Sequence, residues 1–337
     1  MDKSRKCQFI LQQNHDFSRR IWYNKCMIYN QYVLERMKEM ETCNLCPHHC
    51  GVNRSKGEKG VCQCGNQIEM ALADLHFYEE PCISGKEGSG AIFFSHCNLR
   101  CVFCQNYEIS AEGYGKKVTI EELADCMLNL QERGANNINL VTPTPYVHLI
   151  RKAIDKAKKE GLHIPIIYNS SGYETVETIE QLKGYIDIYL PDFKYADNVL
   201  AKKYSRATHY VEYATKAILA MYQQVGMPVL NQKKRMQKGL MIRHLVLPNH
   251  TDNSIQVLQW IAHHLGKNVF ISLMGQYFPT YQAKQYPELA RKITPEEYEK
   301  VKQEMKRLGF CHGYVQELEE NEANYVPKFK EKVGKIS

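Results

Sequence analysis

The sequence predicts an α/β protein carried on a parallel sheet, and three observations predict it. From residue 91 onward, short apolar runs alternate with segments of helical period. Six such strand–helix units follow one another, which is the pattern of a parallel sheet with right-handed crossovers. The residues just past each apolar run are polar or conformationally special, as expected where strand ends face one cavity. Six units are too few to close an eight-fold barrel.

Ahead of those units, residues 1–42 are polar and rich in Tyr, Gln and Arg, with helical spacing from Tyr29 to Met40. Cys7 and Cys26 stand alone there and read as ordinary thiols. Residues 43–64 carry Cys43-x2-Cys46-x3-Cys50, then Cys62 and Cys64, with His48 and His49 inside and Gly51, Gly57 and Gly60 punctuating the loop. A Cys-x2-Cys knuckle followed at a distance by further cysteines points to a metal. Cys43, Cys46, Cys50 and Cys62 would make a closed four-ligand site, with Cys64 as a substitute. Zinc and an auxiliary iron–sulfur cluster use the same thiolates, so both stay open. A closed site contributes folding energy or relays electrons. Residues 65–90, with Glu79-Glu80-Pro81-Cys82 and a Gly-Lys-Glu-Gly-Ser-Gly stretch, read as a linker. The expected division is 1–85 as an N-terminal helical and cysteine-rich module, 86–310 as the main domain and 311–337 as a tail.

Strands are expected at Ala91–Ser95, Ile138–Val141, Ile164–Tyr168, Ile186–Leu190, Leu240–Leu247 and Val269–Leu273. Thr119-Ile120-Glu121-Glu122 opens the first helix as a capping box, and Gly134 ends it. Further helices are expected near Tyr146–Glu160, Thr175–Lys183, Tyr210–Val225, Asn253–Leu265 and Pro295–Leu308. The last opens at Thr294-Pro295-Glu296-Glu297, with Pro in the first turn.

Directly after the first strand come Cys97, Cys101 and Cys104, spaced Cys-x3-Cys-x2-Cys. Three thiolates on one loop leave a metal centre with an open position, as in three-ligand zinc sites. A structural zinc loop is the plainer reading of the spacing alone. Beyond the other strands stand Thr142-Pro143-Thr144-Pro145, Asn169-Ser170-Ser171-Gly172, Pro191-Asp192-Phe193-Lys194 and Met274-Gly275-Gln276. Asp192 and Lys194 are two residues apart and share one side of an extended chain. Arg243 lies inside an apolar strand, so its guanidinium requires an anion, either Asp192 or a ligand carboxylate. His244 and His250 read as satisfied structural histidines.

The cysteine spacing, with the aromatic Phe103 before the third thiol, resembles the radical S-adenosylmethionine signature. Cys104-Gln105-Asn106, Tyr189-Leu190-Pro191-Asp192-Phe193-Lys194 and Arg243…Pro248 are similar to motifs of the glycyl-radical-enzyme activases, typified by pyruvate formate-lyase activating enzymes. Cys43-Asn44-Leu45-Cys46-Pro47-His48-His49-Cys50 with Gly60-Val61-Cys62 resembles the cysteine-rich N-terminal extension of an activase-like subgroup. The resemblance covers roughly residues 43 to 310. It implies a partial (β/α)6 TIM-like barrel with an N-terminal cysteine-rich extension. It also implies a 4Fe–4S cluster on Cys97, Cys101 and Cys104, whose open iron takes the amino and carboxylate groups of S-adenosylmethionine. Electron transfer to the sulfonium then yields a hydrogen-abstracting 5′-deoxyadenosyl radical. Cofactor contacts are expected from Phe103, Asn106, Thr142, Thr144, Asn169, Ser171, Asp192, Lys194, Arg243 and Gln276. The chain departs from the activase pattern in having Thr142-Pro143-Thr144-Pro145 where a Gly-Gly-Glu stretch is usual, and Asn169-Ser170 where an acidic residue is usual. The implied partners are a glycyl-radical enzyme as protein substrate and flavodoxin or ferredoxin as reductant. Another peptide or a small molecule is the alternative substrate, and a zinc-stabilised scaffold protein the alternative class.

Composition bounds these readings. Of 337 residues, 44% are hydrophobic and 24% charged, ordinary for a globular chain. The net charge of +7 comes from scattered Lys and short clusters such as Lys233-Lys234-Arg235, without the aromatic interleaving of a nucleic-acid surface. No run is long enough to span a bilayer and no secretion signal is visible, so no membrane is expected. Thirteen cysteines in close groups then suggest a reducing cytoplasm and metal binding rather than disulfides. An exposed cluster further suggests an anaerobic or facultative cell.

Overall fold

A computed structural model describes residues 42–318 together with Phe329. The helix expected from Tyr29 to Met40, and Cys7 and Cys26, lie outside the described residues. The sheet begins with β1 (Ile68–His76), which runs antiparallel to β2 (Ser89–Phe94), while β3 (Lys116–Val118) pairs antiparallel with β1. One helical turn, α1 (Tyr107–Ser110), precedes β3, and α2 (Ile120–Glu132) follows it. The chain then alternates through β4 (Ile138–Val141), α3 (Val147–Lys159), β5 (Ile166–Ser170), α4 (Val176–Gln181) and β6 (Ile188–Pro191). Two helices, α5 (Asn198–Ser205) and α6 (Tyr210–Val225), lead through the two-residue strand β7 (Val229–Leu230) to β8 (Met236–Leu245). α7 (Thr251–Leu265), β9 (Phe270–Met274), α8 (Pro295–Arg307) and β10 (Gly313–Val315) complete the described order.

Strands β2, β4, β5, β6, β8 and β9 lie side by side and parallel, and they are the six that the apolar runs predicted. The sheet path ends at β10 on one side and β3 on the other, so it is an open, partial (β/α)6 barrel. Two expectations need correction. The stretch 65–90 is no mere linker, because β1 occupies nine of its residues and pairs along the whole of β2. Residues 313–315, placed in the tail, form a strand parallel to β9. The physical reason is common to both: each is held by hydrogen bonds to a neighbouring strand, β2 or β9, which a segment's own periodicity does not reveal.

Local chemistry fixes the helices. Thr119 accepts from the Glu122 amide at 3.1 Å while Glu122 accepts from the Thr119 amide at 2.7 Å, and Leu123, Ala124, Met127 and Leu130 then bury one face. Thr294 and Glu297 repeat the same box at the start of α8. Ile92, Phe94, Leu140, Tyr168, Tyr189, Ile242 and Leu273 join the helices in one apolar layer. Alternation sends their neighbours Ala91, Phe93, Asn139, Val141, Asn169 and Arg243 to the opposite, inner face. Phe329 closes against that face, edge-on to Phe93 with ring centroids 5.4 Å apart. No helix among the described residues is long and apolar enough to cross a membrane.

Candidate active site at the strand ends

β2 delivers the three cysteines to the carboxyl end of the sheet, and hydrogen bonds from four directions hold their loop. The amides of Arg100 and Val102 donate to the carbonyls of Ser205 and Tyr204, at 3.0 and 2.8 Å. The Asn98 amide group donates to the Tyr173 carbonyl at 2.6 Å. The Gln282 amide reaches the Val102 carbonyl at 2.9 Å. Arg100 donates from one side to the Cys97 carbonyl at 2.7 Å. These bonds fix the course of the loop's backbone.

Each thiol has its own partner. Cys97 accepts from the Leu99 amide at 3.3 Å, Cys101 lies 3.0 Å from the Ser205 hydroxyl, and Cys104 lies 3.1 Å from the Ser110 hydroxyl. All three remain partly exposed. Burial and the repulsion of its two neighbours push Cys97 up to about 12. Burial pushes Cys101 up to about 11, against a pull from nearby Lys194, and raises Cys104 as well. Thiols so placed resist ionisation until a cation joins them. Among the described residues, no three His, Cys, Asp or Glu side chains close on a single-ion sphere. A polynuclear cluster holds its thiolates further apart than one ion does. A soft three-thiol donor set without a fourth protein ligand fits a 4Fe–4S cluster with one open iron.

Beside the thiols lies a partly buried charged group that the sequence reading foresaw in part. Asp192 accepts from Lys194 at 2.7 Å and from Arg243 Nε at 2.9 Å. Arg243 also donates to Asn169 Oδ1 at 2.5 Å and pairs with Glu79 at 3.3 Å. Burial alone would neutralise Asp192, but Lys194 and Arg243 outweigh it and hold the carboxyl below its usual range. Burial likewise opposes the charge on Arg243, and Asp192, Glu79 and Glu80 overcome it. At Gly172, φ is +74° and an added Cβ would stand 2.6 Å from the Asp192 carbonyl oxygen, so only glycine fits this approach.

The remaining expected residues separate. Asn169 and Ser171 join the group, Ser171 through a 3.4 Å contact with Asn98 Oδ1. Gln276 ties the sixth expected strand to the loop by accepting from Gln105 at its carbonyl, 3.0 Å away. Asn106 stands at the start of α1 without a side-chain cap bond, and Phe103 is buried edge-on to Tyr277. Thr142 sits at the end of β4 with φ of +61°, a strained conformation for a β-branched residue. Thr144 is not brought to this group. It is buried and donates to Glu174 at 2.6 Å, in a network that includes Tyr168 of the helix-facing layer. His244 is neutral, drawn down to about 4 by burial, and bonded to the Phe193 carbonyl and the Ser254 hydroxyl.

Sequence reasoning missed Glu79, Glu80 and Glu174. Glu79 accepts from Asn139 at 3.0 Å as well as from Arg243, so the segment before β2 supplies carboxylates to the inner face. Their only signal was an acidic pair ahead of Pro81. Burial raises Glu174 to about 8 despite bonds from Thr144, Ser170 and Tyr168.

In the amino-terminal segment, Cys43, Cys62 and Cys64 are buried and Cys46 and Cys50 partly so. A bond from Cys64, opposed by burial and aided by Arg54, draws Cys62 down to about 5. Every cysteine among the described residues is a free thiol.

Comparison with known proteins matches residues 91–261 to the radical SAM superfamily. An uncharacterized protein of Methanocaldococcus jannaschii, MJ0674, is 33% identical over 271 residues, 77% of this chain and 73% of that one. The pyruvate formate-lyase-activating enzyme of Clostridium pasteurianum is 25% identical over 194 residues, 55% of this chain and 73% of that enzyme. A crystal structure of HydG, a maturase of the [FeFe]-hydrogenase, aligns with a TM-score of 0.49 at 17% identity. That alignment covers 70% of this chain and about half, 52%, of the maturase. The chain belongs to the radical SAM superfamily.

Proposed function

We propose that this radical SAM superfamily member activates a glycyl-radical enzyme in an anaerobic cytoplasm, with flavodoxin or ferredoxin as reductant. The observation that carries the reading is the joining of the thiol loop to the Asp192–Lys194–Arg243 group at the strand ends. When bound there, a 4Fe–4S cluster and S-adenosylmethionine supply reductive cleavage of a sulfonium and a 5′-deoxyadenosyl radical that abstracts hydrogen. Cys97, Cys101 and Cys104 would hold the cluster. A methionyl zwitterion needs one anionic and one cationic contact, and Asp192 and Lys194 offer both from adjacent positions. Each keeps the other ionised, so neither serves as a proton donor or acceptor; their work is orientation. Asn169 and Ser171 offer hydroxyl and amide contacts suited to a ribose. Buried Phe103 and Tyr277 keep the loop's underside dry.

The partial similarity to a pyruvate formate-lyase-activating enzyme supports a glycyl-radical enzyme as the target. Incubating the reduced, reconstituted protein with candidate glycyl-radical enzymes should produce a protein-based radical signal that depends on S-adenosylmethionine. Cofactor cleavage with no such signal on any candidate would reject this target. A second reading is another peptide or a small molecule as substrate.

A further inference from the structure

We propose that an apolar seat on the inner face of the sheet, beside the thiol loop, is a subsite for an aromatic side chain of a polypeptide substrate. With a polypeptide as the substrate, as read above, Phe329 of this chain is the competitor that holds the seat until the substrate arrives.

Strand pairing builds the seat. Leu72 stands opposite Phe93, Phe93 opposite Val141, and Val141 opposite Asn169. Adjacent strands lie about 4.8 Å apart, so these residues form one row across the carboxyl end of the parallel strands. The row is apolar as far as Val141 and turns polar at Asn169, which accepts from Arg243 at 2.5 Å. Ala71 and Ala91 join the same apolar cluster with side chains too small to fill it. Ile109 borders it on the side of the thiols, since its carbonyl accepts from the His96 amide at 2.7 Å, directly before Cys97. A ring over Phe93 and Val141 is thus one strand away from Asn169 and next to the loop that carries the cysteines.

An aromatic ring is already there. Phe329 is 1% exposed and packs with Leu72, Phe93, Ile109 and Val141. Its ring meets Phe93 edge-on, with centroids 5.4 Å apart and planes at 70°, a geometry that favours an aromatic over an aliphatic occupant. In sequence, Phe329 lies among Lys328, Lys330, Glu331 and Lys332, so one ring supplies the apolar contact of this stretch. The lining has other support. β1, β2 and β4 are joined by their ladders, and Ile109 by its bond to the loop. A single ring added to a wall so held can leave it without unfolding the sheet.

A polypeptide acted on beside the three cysteines must bring its reacting backbone to the strand ends. A neighbouring side chain then enters the row at Val141, where an aromatic group gains burial. That group and Phe329 cannot share the seat.

The test needs no cluster or cofactor. Full-length protein is mixed with a fluorescently labelled peptide of residues 322–336, and anisotropy reports binding. Phe329→Ala protein should bind this peptide at least roughly tenfold more tightly than wild-type protein does. The same peptide carrying Phe329→Ala should not bind. Adding Val141→Asp to the Phe329→Ala protein should remove binding, which locates the seat. Phe329→Leu takes the place of Phe329→Ala should the latter not fold. Equal affinity of both proteins overturns the competition. Absence of binding to Phe329→Ala protein overturns the subsite, and binding that survives Val141→Asp overturns its location. For a glycyl-radical enzyme that does acquire a radical, Phe329→Ala should lower KM severalfold, and an unchanged KM overturns the role in substrate binding. Failure of every candidate to acquire one rejects the target named above and leaves the peptide result to decide the seat.

Discussion

In the loop after β2, Cys97, Cys101 and Cys104 stay partly exposed and face Lys194 and Asp192 across the ends of the sheet. In the amino-terminal segment, Cys43 and Cys62 are buried around Arg54, which has no acidic partner among the described residues. Both groups use amides two residues on to support sulfur. What differs is the surroundings. Three thiols beside a balanced acid–base pair leave room for a further charged ligand. In the amino-terminal group the guanidinium meets the Pro145 carbonyl at 2.7 Å and Cys62 Sγ at 3.4 Å, with no acid–base pair beside it among the described residues. The contrast separates thiols that face an acid and a base together from thiols that face a single cation.

Substitutions can break this contrast, and the largest effect belongs to the open site. Cys101→Ala should reduce 5′-deoxyadenosine formation by at least about 10³-fold while leaving urea unfolding of the metal-free protein almost unchanged. Arg243→Met should act the other way, through stability. It leaves Asp192 and Glu79 buried without their guanidinium, and losing a buried partner costs about 3–5 kcal/mol. Denaturant unfolding measures this, and a change under about 1 kcal/mol would show that Lys194 alone suffices for Asp192.

How far the sequence revealed this arrangement depends on the reach of each contact. Helices opened by Thr119 and Thr294 were legible because a capping box closes within four residues. Arg243 was legible because a lone guanidinium in an apolar strand must find an anion. β1 was not, since its burial depends on pairing with β2 across the Glu79–Gly88 connection. Glu79 meets Arg243 across 164 positions and Thr144 meets Glu174 across 30, so neither pairing leaves a local pattern.

Gly172→Ala sharpens the positioning role of the charged group. A methyl at φ of +74°, 2.6 Å from the Asp192 carbonyl oxygen, should destabilise by about 1–2 kcal/mol and raise KM for S-adenosylmethionine more than it lowers kcat. Equal effects on both would assign Gly172 to folding alone. A pH-dependent effect is expected at Glu174, on the helix-facing side. Its folded carboxyl, raised to about 8 by burial, holds a proton that the unfolded chain has lost. Stability from this group is present below its unfolded pKa and is lost as pH rises toward 8. Glu174→Gln should therefore raise the thermal midpoint at pH 8 relative to wild type and change it little at pH 4. The same gain at both values would exclude titration of this residue as the cause.

At the centre of the proposed chemistry, three thiols hold a cluster that leaves one iron for S-adenosylmethionine. The most direct test is to reconstitute the full-length protein without air, add S-adenosylmethionine and dithionite, and measure 5′-deoxyadenosine. Wild-type protein should release it, and the Cys97→Ala, Cys101→Ala, Cys104→Ala variant should release none. Iron-loaded wild-type protein that forms no 5′-deoxyadenosine, or a triple variant that still does, would contradict this assignment.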